Sequence, residues 1–439
     1  MSKETLETWK PVTVRDLVEK HFCGPSPDCE ERQVFKSDEW GVLKTTAITW
    51  SGWDETAHKV LPKAYWNQPD IEVNSGDVLV TKAGPRHRVG VVCYVPTTRK
   101  QLVVSGKMIG LRPKSGIVDS AVLAGLIARQ APQKYIQDRT TGMAESQVNF
   151  ANEVLLNTPL SLPPIDEQRV MAQISERLDT AIHQTEAIIA KLKAVKQGLL
   201  HDLLTRGIDA NGELRPPQAK APHLYKESPL GWIPKEWEVK PLYEVGEAVT
   251  GTTPPSVDPL AWGSGTPFIT PSEIADDRPI ADSERQVSAR GLRYVRLLPE
   301  KTIVVVCIGS TIGKVGITAT ASCTNQQINA VLPYEGIHPE YLFLAIRMHI
   351  GQLRGLAGLQ AVPIVNKTSF ESIYVPVARP PEQIEIAKRL DAISTRIFDE
   401  DTTLHKLRLG KAGLLDDLLT GRVRVTPLLA EAAQQPGSA

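Results

Sequence analysis

Ser310, Thr311 and Lys314 stand in the run Gly309-Ser-Thr-Ile-Gly313-Lys314-Val315. A glycine-flanked loop carrying hydroxyls and a lysine has the chemistry of a phosphate contact. It is no nucleotide-binding loop. That motif needs four residues between its glycines and a Ser or Thr after the lysine to hold Mg²⁺; this run has three, then Val315. Just downstream, Asn325, Gln326, Gln327 and Asn329 offer amides that suit bidentate contact with adenine, as arginines suit guanine. The cations cluster too. Lys82 to Val118 holds eight Lys or Arg (Lys82, Arg86, Arg88, Arg99, Lys100, Lys107, Arg112, Lys114) and no acid. Arg285 to Tyr334 holds six (Arg285, Arg290, Arg293, Arg296, Lys301, Lys314) against the single acid Glu300. Basic residues among Gly, Ser, Thr, Asn and Gln loops suit phosphate contact combined with base-edge reading. By loop position and charge, the candidate contacts are Lys82, Arg86, His87, Arg88 and Lys107 in the first half. In the second they are Thr252, Thr253, Ser310, Thr311, Lys314, Asn325, Gln326 and Gln327. A solvated surface without a ligand explains either region alone; recurrence in both halves weighs against it.

Motifs for covalent chemistry are missing. No Asn-Pro-Pro-aromatic or Asp-Pro-Pro-aromatic tetrapeptide provides for amino methylation, and no Gly-x-Gly fingerprint follows a strand. There is no Gly-x-Ser-x-Gly elbow and no His-Glu-x-x-His pair. Pro69-Asp70 has no Glu-x-Lys or Asp-x-Lys partner at nuclease spacing. His21, Cys23 and Cys29 lie close together without a second ligand pair at zinc spacing. The expectation is a chain with no reaction centre, metal or cofactor of its own.

The elements that position these loops come as a repeat. GLLHDLLTRG at Gly198–Gly207 returns as GLLDDLLTGR at Gly413–Arg422, and a shift of 215 residues also lays Glu167-Gln168 on Glu382-Gln383. Both copies open on a proline pair, Pro163-Pro164 and Pro380-Pro381, and close near a glycine, as helices do. One heptad frame fits both. It reads Met171, Ser175, Leu178, Ile182, Thr185, Ile189, Leu192, Lys196, Leu199, Leu203, then Ile386, Leu390, Ile393, Ile397, Glu400, Leu404, Leu407, Lys411, Leu414, Leu418. The pattern lapses at matching places, Thr185/Glu400 and Lys196/Lys411. Two helices of about 40 residues, hence about 60 Å each, are expected to pair antiparallel about a pseudo-twofold axis. Gly198 and Gly413, interior to them, suggest close approach between the helices or to a docked subunit. Ahead of each helix, GDVLVTKAGPRHRVGVV (Gly76–Val92) corresponds to KTIVVVCIGSTIGKVGI (Lys301–Ile317), and SGKMIGLRP from Ser105 to TNQQINAVLP from Thr324. Each reads as strand, basic loop, strand. The expected layout is a globular domain 1–160, a long helix 161–208, a linker 209–228, a second domain 229–378, a second helix 379–423 and a disordered tail 424–439. The fold class is α+β.

With 439 residues, a 41% hydrophobic fraction and no net charge, bulk composition says nothing of a partner; the basic regions are hidden by acids elsewhere. Five cysteines suit a reducing cytoplasm rather than a disulfide framework. No run approaches the ~18 apolar residues of a membrane span, and MSKETLETWK lacks a secretory core.

The paired long helices, the PPIDEQ and PPEQ helix starts, the GLLxDLLT endings, YKESPLGWIPKEWEV from Tyr225 and CIGSTIGKVGI followed by TNQQIN together resemble the specificity (S) subunit of type I restriction-modification systems, the HsdS family. The resemblance runs from Val12 to about Val425. The first domain departs more: it lacks the Trp-Glu-Val opening, and TKAGPRHRVG stands in place of CIGSTIGKVG. The resemblance implies two target-recognition domains, each reading one half of an asymmetric bipartite site on double-stranded DNA. The helices then set the unread spacer and dock two modification (methyltransferase) subunits, with restriction (motor-nuclease) subunits recruited besides. S-adenosylmethionine, ATP and Mg²⁺ are expected on those partners, and the setting is cytoplasmic host defence. The residues alone leave two rivals: a scaffold binding RNA or protein through its basic loops, and an enzyme with an unrecognised site.

Overall fold

The computed structural model describes residues 9–50, 52–274, 278–357 and 363–434. The chain divides into two units, each drawing on both halves of the sequence: Met1–Thr185 with Thr403–Ala439, and Glu186–Thr402. Each unit has one head and a portion of both long helices.

The first head is built on a four-stranded antiparallel sheet in the order Val18–Phe22, Met108–Pro113, Val78–Thr81, Val92–Tyr94. Beside it lies a three-stranded sheet in the order Leu102–Val103, Gly41–Leu43, His58–Val60, its first pair parallel and its second antiparallel. The second head repeats this. Its four strands run Gly246–Thr250, Ile328–Pro333, Ile303–Val306, Val315–Ile317. Its three run Gln286–Val287, Trp262–Ile269, Cys323–Thr324, again with one antiparallel and one parallel pair. The duplication read faintly from the loops therefore extends to the strand order of these two sheets, while the first head adds a further sheet, Thr141–Ala144, Gln147–Asn149 and Ala83–Gly84.

An interior strand covered on both faces must be apolar at successive positions. Val78-Leu79-Val80 and Ile303–Val306 are, and all are buried. Alternate side chains feed opposite cores. Val78 and Val80 join one cluster and Leu79 another; Ile303 and Val305 join one, and Val304 and Val306 another.

The long helices span Ile165–Thr205 and Pro380–Thr420. In the first unit, Met171 near one helix start shares a core with Leu418 and Leu419 near the other's end. In the second unit, Leu203 and Leu204 share one with Ile386 and Leu390. Start lies beside end each time, so the pairing is antiparallel. Every position of the heptad frame is buried or half-buried, polar lapses included. Buried Thr185 satisfies its hydroxyl on the Ala181 carbonyl at 2.9 Å. Glu400 pairs with Arg396 at 2.6 Å, and Lys411 pairs with Asp179 of the facing helix.

The Glu-Gln anchors are docking points, alike in both units. Gln168 Oε1 accepts the Asp119 amide at 2.9 Å, and its Nε2 donates to the carbonyls of Pro163 and Ile117 at 2.8 and 3.2 Å. Gln383 Oε1 accepts the His338 amide at 2.8 Å, and its Nε2 donates to Ala378 and Gly336 at 2.7 and 3.4 Å. Asp119 and His338 are the N-caps of the helices Ser120–Ala128 and Pro339–Met348. Each long helix thus grips its own head at the N-terminus of one of that head's helices. Glu167, buried, pairs with Arg424; Glu382, buried, pairs with Arg215.

Three expectations need correction and one is extended. The first head lacks Trp-Glu-Val, as expected, yet a tryptophan opens it in the equivalent place. Trp9 directly precedes the strand Lys10–Thr13, which pairs with Pro159–Leu162, as Trp237 precedes Glu238–Pro241, which pairs with Tyr374–Val377. Trp9 lies against Gly421 and Trp237 against Gly207. The tail expected to be disordered starts with Arg424 bound to Glu167 and Val425 buried, and continues as a helix, Thr426–Gln434; residues 435–439 lie outside those described. A Thr-Pro start and a Leu-Leu-Ala run of good helix formers account for it. Gly198 and Gly413 make no close approach to another segment among the described residues: a Cβ at either would meet no such atom within 4 Å. The segment read as a linker is packed, with Arg215, Ala221 and Tyr225 buried and Tyr225–Ser228 paired with Gly231–Pro234. Among the described residues no helix is long and apolar enough to cross a membrane.

Candidate nucleic-acid interface

The strand register brings the second head's candidate loops together. Thr250 lies opposite Asn329, Val306 opposite Ile328 and Val305 opposite Val315. The loop after Thr250, the turn before Ile328 and the loop from Cys307 to Lys314 therefore open at one end of the four-stranded sheet. There Thr253 Oγ1 donates to Gln326 Oε1 at 2.6 Å. Asn325 Nδ2 donates to Gln327 Oε1 at 3.0 Å, and Asn325 Oδ1 accepts the Gln327 amide at 3.1 Å. The turn stands preorganised, with Gln326 exposed at its tip. Gly251 makes the approach possible, because a Cβ there would fall 2.2 Å from the Asn325 carbonyl oxygen. Asn329, considered for base contact, is buried and accepts from Thr250 Oγ1 at 2.7 Å, so it belongs to the sheet. Thr252 is exposed and donates to the Tyr294 carbonyl at 3.2 Å.

Ser310 and Thr311 are exposed and, with Lys314, line a cavity of about 410 Å³. Lys314 is half-buried, its Nζ donating to the Pro271 carbonyl at 3.0 Å. Arg354 shares the cavity; sequence reading missed it, since it lies outside both basic stretches. Burial pushes the Cys307 thiol up to about 11, so the residue opening this loop is a packed thiol and not a nucleophile.

The first head places its loops at the same sheet end, and the Lys82 amide donates to the Lys107 carbonyl at 2.9 Å. Its cations are largely turned inward, against the expectation of an open basic region. Arg88 donates to the carbonyls of Thr45 and Ile48. Arg112 makes a two-bonded pair with buried Asp77 at 2.9 and 3.0 Å. Arg99 donates to the carbonyls of Lys100, Lys36 and Glu39, and Lys114 to that of Asp16. Lys82 Nζ rests on Asn152 Oδ1 at 3.2 Å, and Arg86 pairs with Glu145 at 2.7 Å. His87 and Lys107 are exposed. The loop is flanked by a hairpin, Thr141–Ala144 with Gln147–Asn149, that pairs with Ala83–Gly84. The outward chemistry of this head thus rests on His87, Lys107 and the rim pair Arg86–Glu145.

The family model described as the type I restriction modification DNA specificity domain matches residues 6–194 and again 234–406. The chain belongs to that family. Each match takes in one head and much of the long helix after it, the unit that the topology repeats. Among curated relatives, the specificity subunit of the Escherichia coli type I restriction enzyme EcoEI is 32% identical over 199 residues, covering 45% of this chain and 33% of that protein. The putative specificity subunit of type I restriction enzyme MjaX from Methanocaldococcus jannaschii is 24% identical, over 80% of this chain and 79% of that protein. The solved S subunit of a type I restriction-modification system from M. genitalium shares the fold. Its TM-score is 0.55 at 15% identity, over 93% of this chain and 96% of that one.

Proposed function

We propose that this chain is the DNA-reading subunit of a type I restriction-modification enzyme, with no catalysis of its own. Each head reads one half of an asymmetric bipartite target on duplex DNA. The observation that carries this is the pair of equivalent loops with unlike residues. On matching strands, one head presents Thr81-Lys-Ala-Gly-Pro-Arg-His-Arg-Val-Gly90 and the other Val306-Cys-Ile-Gly-Ser-Thr-Ile-Gly313. One scaffold used twice with different tips suits two different half-sites. The continuous helices shared by both units set the unread spacer and offer their outer faces to two modification subunits. Those subunits, and the restriction subunits, carry S-adenosylmethionine, ATP and Mg²⁺.

A mobility-shift assay tests the reading, using the full chain alone and co-expressed with a type I methyltransferase subunit, against duplex DNA and single-stranded RNA. Specific retardation of duplex DNA by the co-expressed complex is expected. Preference for RNA, or indifference to both, contradicts it.

A further inference from the structure

The two heads can be compared glycine by glycine at the reading end. Gly90 and Gly313 each stand two residues before the last strand of the four-stranded sheet. Each has φ +87, and each donates its amide to the end of the neighbouring strand, Gly90 to Thr81 at 2.8 Å and Gly313 to Val306 at 2.9 Å. Each is also approached by a side chain from a short helix of its head, Gln130–Gln137 or Gly351–Leu356. A Cβ on Gly90 would lie 2.6 Å from Gln133 Oε1, and one on Gly313 would lie 2.9 Å from Arg354 Nε.

What differs is the visiting side chain. Gln133 is neutral and satisfied within the fold, donating to the Gly90 and Ile127 carbonyls at 2.9 and 3.0 Å; Gln137 beside it donates to Val89 at 2.7 Å. Arg354 makes no side-chain hydrogen bond or ion pair among the described residues, and it is exposed. It lines the same cavity as Ser310, Thr311 and Lys314. Lys314 uses one donor on the Pro271 carbonyl, which leaves two. Two cationic and two hydroxyl residues thus line one concavity, with no carboxylate lining it among the described residues, a composition that suits an anion. A guanidinium fork and hydroxyl donors match the two free oxygens of a phosphodiester.

From this we infer that Arg354, with Ser310, Thr311 and Lys314, seats one backbone phosphate of the half-site read by the second head. Gly313 suits the place because its φ of +87 disfavours any larger residue and a Cβ there would crowd the arginine. The contact is a positioning one. It fixes the register of the Asn325–Gln327 turn on the bases and carries no base information itself. The first head has no counterpart, since Gln133 fills the equivalent place.

The inference rests on the DNA-reading function above, and its test keeps the two apart. The full chain with its modification subunits is titrated with a target duplex over a range of salt concentrations, as wild type, Arg354→Gln and Arg354→Lys. Losing one phosphate contact lowers the slope of log K against log salt by about 0.9. Arg354→Gln is expected to lose about that much with base preference unchanged, and Arg354→Lys to recover it. A neutral methylphosphonate scanned along the second half-site should weaken wild type at one position, where Arg354→Gln loses nothing more. An unchanged slope in Arg354→Gln, or altered base preference, overturns the seat while leaving the DNA-reading function intact. A wild-type complex that shows no specific duplex binding overturns both.

Discussion

Arg215 and Glu382 meet through two hydrogen bonds, Nη1 to Oε1 at 2.6 Å and Nη2 to Oε2 at 3.3 Å, with each side chain only 9% exposed. Burial works against the charge of Arg215, but Glu382 together with Glu236 outweighs it and raises the pKa. Glu382 also accepts the Ile208 amide at 2.8 Å and Trp237 Nε1 at 3.1 Å. One carboxylate at the start of the second helix therefore holds Ile208 just beyond the first helix, Arg215 in the segment after it and the tryptophan that opens the second head. Removing one partner of a buried pair strands the other charge at a cost of about 3–5 kcal/mol. Glu382→Ala should lower the urea midpoint of the second unit by a corresponding amount. Glu167→Ala should cost the first unit less, because its partner Arg424 is 19% exposed. Equal, near-zero shifts would show that these anchors are dispensable.

Two glycines of the GLLHDLLTRG segment should behave oppositely. Gly207 has φ +62, and a Cβ on it would fall 2.2 Å from Glu382 Oε1 and 2.6 Å from Trp237 Cζ2. Gly207→Ala should destabilise by at least about 1–2 kcal/mol, the cost of the left-handed backbone alone. Gly198 lies in open helix, so Gly198→Ala should stabilise by up to about 1 kcal/mol. If Gly198→Ala raises the melting temperature yet impairs co-purification with modification subunits, the exposed glycine marks where a partner docks.

Burial pushes the His349 imidazole below its usual 6.5. The folded second head therefore favours the neutral ring more than the unfolded chain does. Its contribution to stability is complete above pH 6.5 and is lost as pH falls from there toward the lowered folded value. Urea midpoints at pH 7.5 and 5.5 should fall more steeply for wild type than for His349→Gln. An equal pH dependence in the two would remove His349 from the account.

The proposed ruler function predicts that four residues inserted within the first long helix change the preferred spacer of the target. Both specific blocks should stay as they are. Selection from duplexes with randomised spacers reads this out, and an unaltered spacer would count against the helices as ruler.

The helix pair was legible because burial along a heptad seam needs only periodic apolar residues, and Glu167-Gln168 and Glu382-Gln383 mark its register without gaps. The Trp9–Trp237 equivalence was hidden because the heads differ in length between their opening strands and their helices, so the shift that aligns the helices misaligns the tryptophans. Charge counting found the loops but could not tell which cations serve the fold. Arg88 and Arg112 look like Lys107 in sequence, yet they are spent on carbonyls and on Asp77. Arg354 escaped notice because its partner in space, Gly313, comes from a distant loop, and only the sheet brings them together.

The most direct measurement is a selection of bound duplexes from a fully randomised library by the chain assembled with its modification subunits, repeated with Gln326→Ala. Wild type should return two unlike blocks at a fixed separation, and the variant should relax one block while the other and the separation persist. A single block, two identical blocks, or a variant that blurs both halves equally would contradict an account in which two heads read independently.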